Sequence, residues 1–366
     1  MTREFFSLAP QMREYLMETN VYLPYLMHFQ RPHIRRSSFT TDEFGFRQTM
    51  LGQTVLSLQQ FNRLSPSDKP CALLGNSTAF GVGASNDANT VASRLNQLGW
   101  GAWFNFSGRT LNPFQEALAF MMFAKVPVDT AVILSGINLF DMNYRYATDA
   151  HQWVPPFYAE RIFFRGLRKR FLPALREWVT YRWKHVLGDP IELPSGFDSG
   201  SLLHDLQGSL NFSDLLHDSG SVERALENFG HVLSVLRAFQ PRKIGRLIFA
   251  LQPVPEWFGR PLSQIEQKLS AIVDRHRGEK WRAVHQYLLG HAKEFRVTLE
   301  AVCHRQSVEF LDLNMCPELL GLEWVFIDRY HLTDDAQACI ASILHAAVSR
   351  KTLSNGSGEA SSCLIS

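Results

Sequence analysis

The sequence has few cysteines, and none of them forms a Cys-x-x-Cys pair. Its five cysteines are odd in number and lie far apart, at Cys71, Cys303, Cys316, Cys339 and Cys363. This pattern excludes a dense disulfide framework and contains no cluster of metal-ligand spacing. It predicts a reduced, intracellular chain without a metal or other cofactor.

Long apolar runs and a strong charge of either sign are also missing. The longest apolar stretch, residues 117–124, is far shorter than the roughly 18 residues that cross a bilayer. Charged residues interrupt the apolar runs near the N-terminus, so we expect no signal peptide and a cytoplasmic location. The net charge of +2 and the lack of any DNA- or RNA-binding motif predict that nucleic acid is not a partner.

What the sequence does contain is an alternation of strand-like and helix-like segments. Short apolar runs near residues 71, 101, 131, 247 and 308 predict five strands. Strands that alternate with helices indicate a parallel, doubly wound sheet. We therefore predict an α/β fold, a three-layer α/β/α sandwich around a five-stranded parallel sheet.

The pattern divides the chain into a main domain and additions to it. Residues 1–60 are predicted to form a helical and β extension packed on a main domain at 68–350. Within this extension, residues 37–47 suit an edge strand or a clasp on the main domain. A helical insertion is expected at about 140–240, between the third and fourth strands. Residues 351–366 have linker composition and are predicted to be disordered. This tail ends with a prenylation-like pattern at Cys363, for which chance is the simpler interpretation.

Basic and aromatic residues are interleaved within the insertion. Residues 157–188 hold eight Arg or Lys and eight aromatic side chains. One interpretation is peripheral contact with an anionic membrane or an anionic substrate, which predicts salt-sensitive binding to anionic liposomes. The other is a helical lid whose charges are solvated.

A serine follows the first strand of the predicted sheet. The strand ends at Gly75, Asn76 and Ser77 come next, and a glycine-rich turn then leads to a helix predicted from about residue 89. A hydroxyl at this end of a parallel strand lies where open α/β sheets bind ligands. We interpret Ser77 as a nucleophile, the alternative being a serine that caps a helix.

A serine nucleophile needs a base and an acid that orients it. Two of the thirteen histidines have an aspartate three residues earlier, in the pairs Asp214–His217 and Asp328–His331. The first pair lies in the polar insertion. The second follows the fifth strand and precedes the last helix, at the same sheet edge as Ser77, so we predict His331 as the base and Asp328 as the acid.

Donors to a developing oxyanion are available at the same edge. Ser77 offers its backbone N–H, and Asn138 offers a side-chain amide at the end of the third strand. The loop after the second strand offers a backbone N–H from Gly108 or Arg109. A turn glycine and a helix-capping asparagine are the ordinary alternatives for Gly108 and Asn138.

These residues resemble the conserved blocks of the SGNH/GDSL hydrolase superfamily. The resemblance covers about residues 70–140 and 245–348 and rests on four segments, Gly75-Asn76-Ser77, residues 105–108, Gly136-Ile137-Asn138 and Asp328 to His331. It places the nucleophile on Ser77, the base on His331, the acid on Asp328 and the oxyanion donors on Ser77, Gly108 and Asn138. Two positions differ from the family pattern, because Asn76 and Leu139 stand where Asp is usual.

The resemblance implies a flavodoxin-like fold that needs no metal and acts on ester-linked acyl groups. We expect a serine esterase or deacylase with an acyl-Ser77 intermediate, acting on a small-molecule, glycan or lipid ester. An O-acyltransferase that uses the same triad on a glycan or lipid hydroxyl is the alternative, and a non-catalytic binding or membrane-surface protein is a third. The sequence does not predict an oligomeric state.

Overall fold

The computed structural model describes residues 3–140, apart from positions 19, 22, 24 and 27, together with residues 220–239 and 243–350. The basic-aromatic segment 157–188, the pair Asp214–His217 and the tail with Cys363 lie outside the described residues. The interpretations given for them above therefore stay predictions.

The N-terminal segment consists of short elements that share a core with the rest of the chain. They are helices α1 (Arg3–Leu8) and α2 (Met12–Met17), the antiparallel strands β1 (Thr49–Leu51) and β2 (Thr54–Leu56), and helix α3 (Leu58–Phe61). Phe5 and Phe39 are fully buried in one cluster with Phe80. The segment 37–47, named the clasp segment, takes part in two isolated bridges, Arg35 with Thr40 and Thr41 with Arg47, and forms no strand of a sheet.

A five-stranded parallel sheet forms the centre of the molecule, in the order β4-β3-β5-β6-β7. Its strands are β3 (Pro70–Gly75), β4 (Ala102–Asn105), β5 (Val128–Ser135), β6 (Ile244–Leu251) and β7 (Glu309–Asp312). This order is flavodoxin-like and confirms the predicted fold class. The chain reverses its direction of winding between β3 and β5, and open sheets bind ligands beside such a point.

Helices cover both faces of the sheet, which makes three layers. Side chains alternate across a strand, so Cys71 and Leu73 of β3 enter one core while Ala72 and Leu74 enter the other. The first core is closed by α5 (Val91–Leu98) and α12 (Asp334–Ser349). The second is closed by α6 (Pro113–Phe123), α7 (Gly220–Ala238) and α10 (Ala292–Arg305).

Polar caps fix where the helices next to the site begin. Thr90, Asn112 and Thr333 each accept a hydrogen bond from a backbone N–H in the first turn of α5, α6 and α12, which satisfies an otherwise unpaired donor. The other α-helices of the described residues are α4 (Ser77–Phe80), α8 (Gln264–Arg277), α9 (Glu279–Gly290) and α11 (Pro317–Leu320). Within the described part of the chain, no helix has the length and apolarity to cross a membrane.

Candidate active site

The backbone turns sharply between β3 and Ser77. Gly75 has φ +147°, and a Cβ atom there would collide with the carbonyl oxygen of Leu134 in the neighbouring strand, so only glycine fits. Ser77 is the first residue of α4, whereas the sequence predicted a turn with a helix only from about residue 89. Among the described residues the Ser77 N–H has no acceptor, as expected for a first-turn donor.

The structure brings Ser77, His331 and Asp328 into one hydrogen-bonded row. The Oγ of Ser77 lies 3.0 Å from Nε2 of His331. Nδ1 of His331 lies 2.8 Å from Oδ2 of Asp328. Because a carboxylate accepts hydrogen bonds, Nδ1 carries the ring proton and Nε2 is left to accept from the serine hydroxyl.

The loop that carries His331 is closed by its own backbone. The N–H of Ile327 donates to the His331 carbonyl at 2.8 Å, and that of Thr333 donates to Val325 at 3.0 Å. A bridge between residues 326 and 332 lies inside this pair. The loop is therefore a narrow hairpin that holds the imidazole on one side.

Asp328 is held in its charged form. Burial raises the pKa of its carboxyl group, but four interactions outweigh burial: the electrostatic effect of His331, the hydrogen bond from its ring, and the hydrogen bonds from the backbone N–H groups of Tyr330 and His331. These N–H groups donate to Oδ1 at 2.8 and 2.9 Å. The pKa of Asp328 therefore lies below its ordinary value, and the group is a carboxylate at neutral pH.

Two contacts tie the histidine loop to the serine turn. The hydroxyl of Thr78, next to the nucleophile, donates to the Tyr330 carbonyl at 3.2 Å. Gly83 has φ +101° and packs so closely on the Leu332 carbonyl that a Cβ atom would collide with it. The residues on either side of His331 are thus held against the segment that follows Ser77, which fixes the distance between the two side chains.

The predicted oxyanion donors differ in their availability. The Gly108 N–H donates to the carbonyl of Gly75 at 3.1 Å, so it is occupied and does not suit the predicted role. The Asn138 amide is nearly buried and donates to Leu111 at 2.6 Å, which engages one of its two amide protons. The Arg109 side chain binds the carbonyls of Tyr15 and Glu18, and a role for its backbone N–H stays a prediction.

A buried glutamine that the sequence analysis did not single out contacts both neighbours of the nucleophile. Gln252 follows β6, accepts from Nδ2 of Asn76 at 2.6 Å and donates to the Thr78 hydroxyl at 2.7 Å. Asn76 also accepts from the Thr78 N–H at 2.9 Å as the cap of α4. Asparagine supplies both the acceptor and the donor that these partners require at position 76.

We expect Asn76→Asp to destabilise the protein by about 1–3 kcal/mol, because a carboxylate would face the Gln252 carbonyl oxygen without a proton to share. Urea unfolding measures the free energy. The matched control is Asn86→Asp, since exposed Asn86 also caps a short helix and its change should cost less than about 0.5 kcal/mol. Equal costs at the two positions would contradict the role given to Gln252.

A buried carboxyl group extends the same network. Glu116 accepts from the Ser135 hydroxyl at 2.6 Å, and that hydroxyl accepts from Nδ2 of Asn76 at 3.4 Å. The second carboxyl oxygen of Glu116, Oε2, has no hydrogen-bond partner among the described residues. Burial raises the pKa of Glu116 from 4.5 to about 8, against the lowering effect of Ser135. Glu116 is therefore neutral at pH 7.

The proton on buried Glu116 makes the free energy of unfolding depend on pH. Between pH 4.5 and about 8 the unfolded chain has released a proton that folded Glu116 retains, so stability falls as pH rises through this window. Glu116→Gln cannot titrate. We expect the wild-type protein to lose up to about 4 kcal/mol relative to Glu116→Gln between pH 5 and 8.5, measured by urea unfolding. A constant difference across that range would contradict a buried, protonated Glu116.

No group of three or more His, Cys, Asp or Glu side chains that could hold a metal ion occurs among the described residues. The site as described consists of a hydroxyl, an imidazole, a carboxylate and amide donors. Such a set can perform nucleophilic and acid–base chemistry by itself.

The four sequence segments lie at the carboxyl edge of the flavodoxin-like sheet. No protein-family model matches the chain, and no curated protein matches its sequence. Among solved structures, a proposed acylhydrolase from Bacteroides fragilis is similar with a TM-score of 0.41 and 12% identity, over 80% of this chain and 93% of that one. An extracellular lipase from Streptomyces rimosus is similar with a TM-score of 0.37 and 10% identity, over 76% and 98%. Likeness at this level concerns the fold alone.

Proposed function

We propose that this chain is a serine ester hydrolase of the SGNH/GDSL type that works through an acyl-Ser77 intermediate. The observation that carries the proposal is the row from Asp328 Oδ2 to His331 Nδ1, 2.8 Å, and from His331 Nε2 to Ser77 Oγ, 3.0 Å. Nucleophile, base and orienting acid within hydrogen-bond reach are the arrangement that acyl transfer to serine requires.

The reaction follows from the proton positions. His331 Nε2 takes the hydroxyl proton while Ser77 Oγ forms a bond to the ester carbonyl carbon, and Asp328 stabilises the imidazolium. The tetrahedral intermediate then breaks its bond to the alcohol oxygen, and His331 returns the proton to that leaving group. Water attacks acyl-Ser77 with the same base, which releases the acid and restores the serine.

Two donors are proposed for the negative oxygen of the tetrahedral intermediate. One is the backbone N–H of Ser77 at the start of α4, and the other is the second amide proton of Asn138, after β5. Ser77 and Asn138 flank the point between β3 and β5 where the winding direction reverses. A pair of preorganised donors near the nucleophile stabilises charge only as it develops, which lowers the barrier.

The proposed substrates are esters of small-molecule, glycan or lipid alcohols. If a sugar hydroxyl takes the place of water in the second step, the same three residues perform O-acyl transfer. A single kinetic design distinguishes the two acceptors from each other and from an inactive protein.

The test offers the protein p-nitrophenyl acetate and longer acyl esters with rapid mixing. We expect p-nitrophenol release above the buffer blank, with an initial burst proportional to enzyme wherever deacylation is slower than acylation. Adding methyl glycosides should leave the yield of free acid equal to that of p-nitrophenol for a hydrolase and lower it for a transferase. No release above the blank for any acyl length would contradict the proposal.

A further inference from the structure

A fully buried arginine from the N-terminal segment contacts the end of the nucleophile helix. Arg47 lies in the clasp segment 37–47, and its side chain is 0% exposed. Its Nη1 donates to the carbonyls of Gly81 at 2.7 Å and Phe80 at 3.2 Å. Its Nη2 donates to Ser38 at 2.7 Å, so one guanidinium joins the clasp to α4.

The Asp87 carboxylate balances the positive charge of Arg47. Its Nε donates to Asp87 at 2.8 Å, and the Asp87 carboxylate also accepts from the N–H and hydroxyl of Thr40. The guanidinium carbon lies 5.7 Å from the ring centre of Tyr15 and 5.9 Å from that of Phe39. A planar, fully paired and enclosed guanidinium is a rigid support, since its donors have one geometry only.

Gly81 connects the Arg47 side chain to Ser77. Gly81 ends α4 with φ +85°, and its N–H donates to the Ser77 carbonyl at 3.2 Å. The Val82 N–H donates to the same carbonyl at 3.0 Å. The Phe80 carbonyl and the Gly81 N–H belong to one peptide group, and the Gly81 carbonyl and the Val82 N–H belong to the next. Arg47 therefore binds the carbonyls of the two peptide groups whose N–H groups bind the Ser77 carbonyl.

Arg47 and Tyr15 together also bind the segment that packs on the histidine loop. The Tyr15 hydroxyl accepts from Nη1 of Arg47 at 2.8 Å and lies 2.8 Å from the Ala84 carbonyl, to which it donates. Ala84 follows Gly83, whose backbone packs on the Leu332 carbonyl beside His331. Arg47 and Tyr15 thus hold the segment 80–84, which binds the Ser77 carbonyl and packs on Leu332, the residue after His331.

We infer that Arg47 is a positioning residue for Ser77, acting through Gly81, and that Tyr15 assists it through Ala84. The inference rests on the proposed function for its kinetic effect. A shift of about 1 Å in a nucleophile can cost up to about 100-fold in rate without any lost contact to substrate. The N-terminal segment is by this inference part of the catalytic framework and more than a cover for the sheet.

The test compares Arg47→Lys and Tyr15→Phe with the control Arg246→Lys. Lysine keeps the charge beside Asp87 but lacks the second donor arm, and phenylalanine keeps the volume but not the hydroxyl. Arg246 pairs with Glu309 near the amino ends of β6 and β7, away from the site. We expect kcat and the rate of fluorophosphonate labelling to fall together, about tenfold or more in Arg47→Lys and less in Tyr15→Phe. KM should stay within about twofold, and Arg246→Lys should match the wild-type protein.

Two results would overturn the inference. One is an unchanged kcat in folded Arg47→Lys, or, if that variant does not fold, in Tyr15→Phe. The other comes from amide hydrogen exchange, which does not depend on activity. We expect the N–H groups of Gly81 and Val82 to exchange faster in either variant than in the wild-type protein, and unchanged exchange rates in both variants would overturn the inference. If the wild-type protein proves inactive, the proposed function fails, and the exchange rates alone decide whether Arg47 holds the Ser77 turn.

Discussion

Replacing Ser77 with alanine is expected to reduce ester hydrolysis by about 10,000-fold or more. The variant keeps the turn at Gly75 and the cap at Asn76, because neither uses the Ser77 side chain. It lacks the hydroxyl oxygen that, among the described residues, lies 3.0 Å from His331 Nε2 and can form the acyl intermediate. Initial rates on p-nitrophenyl acetate, with circular dichroism as a check on folding, measure the effect.

The control for this variant is Ser342→Ala. Ser342 lies exposed on α12 and donates to the Ala338 carbonyl one turn earlier, so its loss should leave the rate unchanged. If Ser77→Ala retained more than about a tenth of the wild-type rate, another residue would be the nucleophile.

The second large effect is expected from Asp328→Asn, which should lower kcat by about 10,000-fold. Asparagine can still accept from the Tyr330 and His331 N–H groups through Oδ1, so the loop should keep its shape. Its amide would face Nδ1 of His331 and favour the tautomer with the proton on Nε2. That nitrogen could no longer accept the serine proton. Steady-state kinetics at neutral pH measure the loss.

A matched change elsewhere separates this effect from a general cost of losing a carboxylate. Asp68 accepts from the Ser65 N–H at 2.8 Å in the turn before β3, at the opposite end of that strand. Asp68→Asn should therefore change kcat by less than about twofold. If kcat fell by less than tenfold in Asp328→Asn, with the structure intact, another group would be orienting His331.

The central features of this molecule carry local signals in the sequence. A buried parallel strand is a short apolar run with turn residues at its end, and all five strands lie where such runs occur. Parallel strands end at a shared edge, so the residues that follow them come together. This reasoning is sufficient to bring Ser77 near the loop that contains Asp328 and His331.

Other features depend on contacts that leave no spacing pattern. The Gly108 N–H was a reasonable oxyanion donor on its position after β4, but its bond to Gly75 depends on how two adjacent turns meet. Gln252 and Glu116 are single polar residues beside apolar runs. Arg47 is one of many arginines in the sequence. Their roles arise only when distant segments pack together.

The central claim is that Ser77 is the nucleophile, and covalent labelling tests it most directly. The protein would be treated with a fluorophosphonate probe, digested and analysed by mass spectrometry. We expect one adduct, on the peptide that contains Ser77, absent in Ser77→Ala and formed much more slowly in His331→Ala. An adduct on a different residue, or no adduct in a protein that hydrolyses esters, would contradict the account.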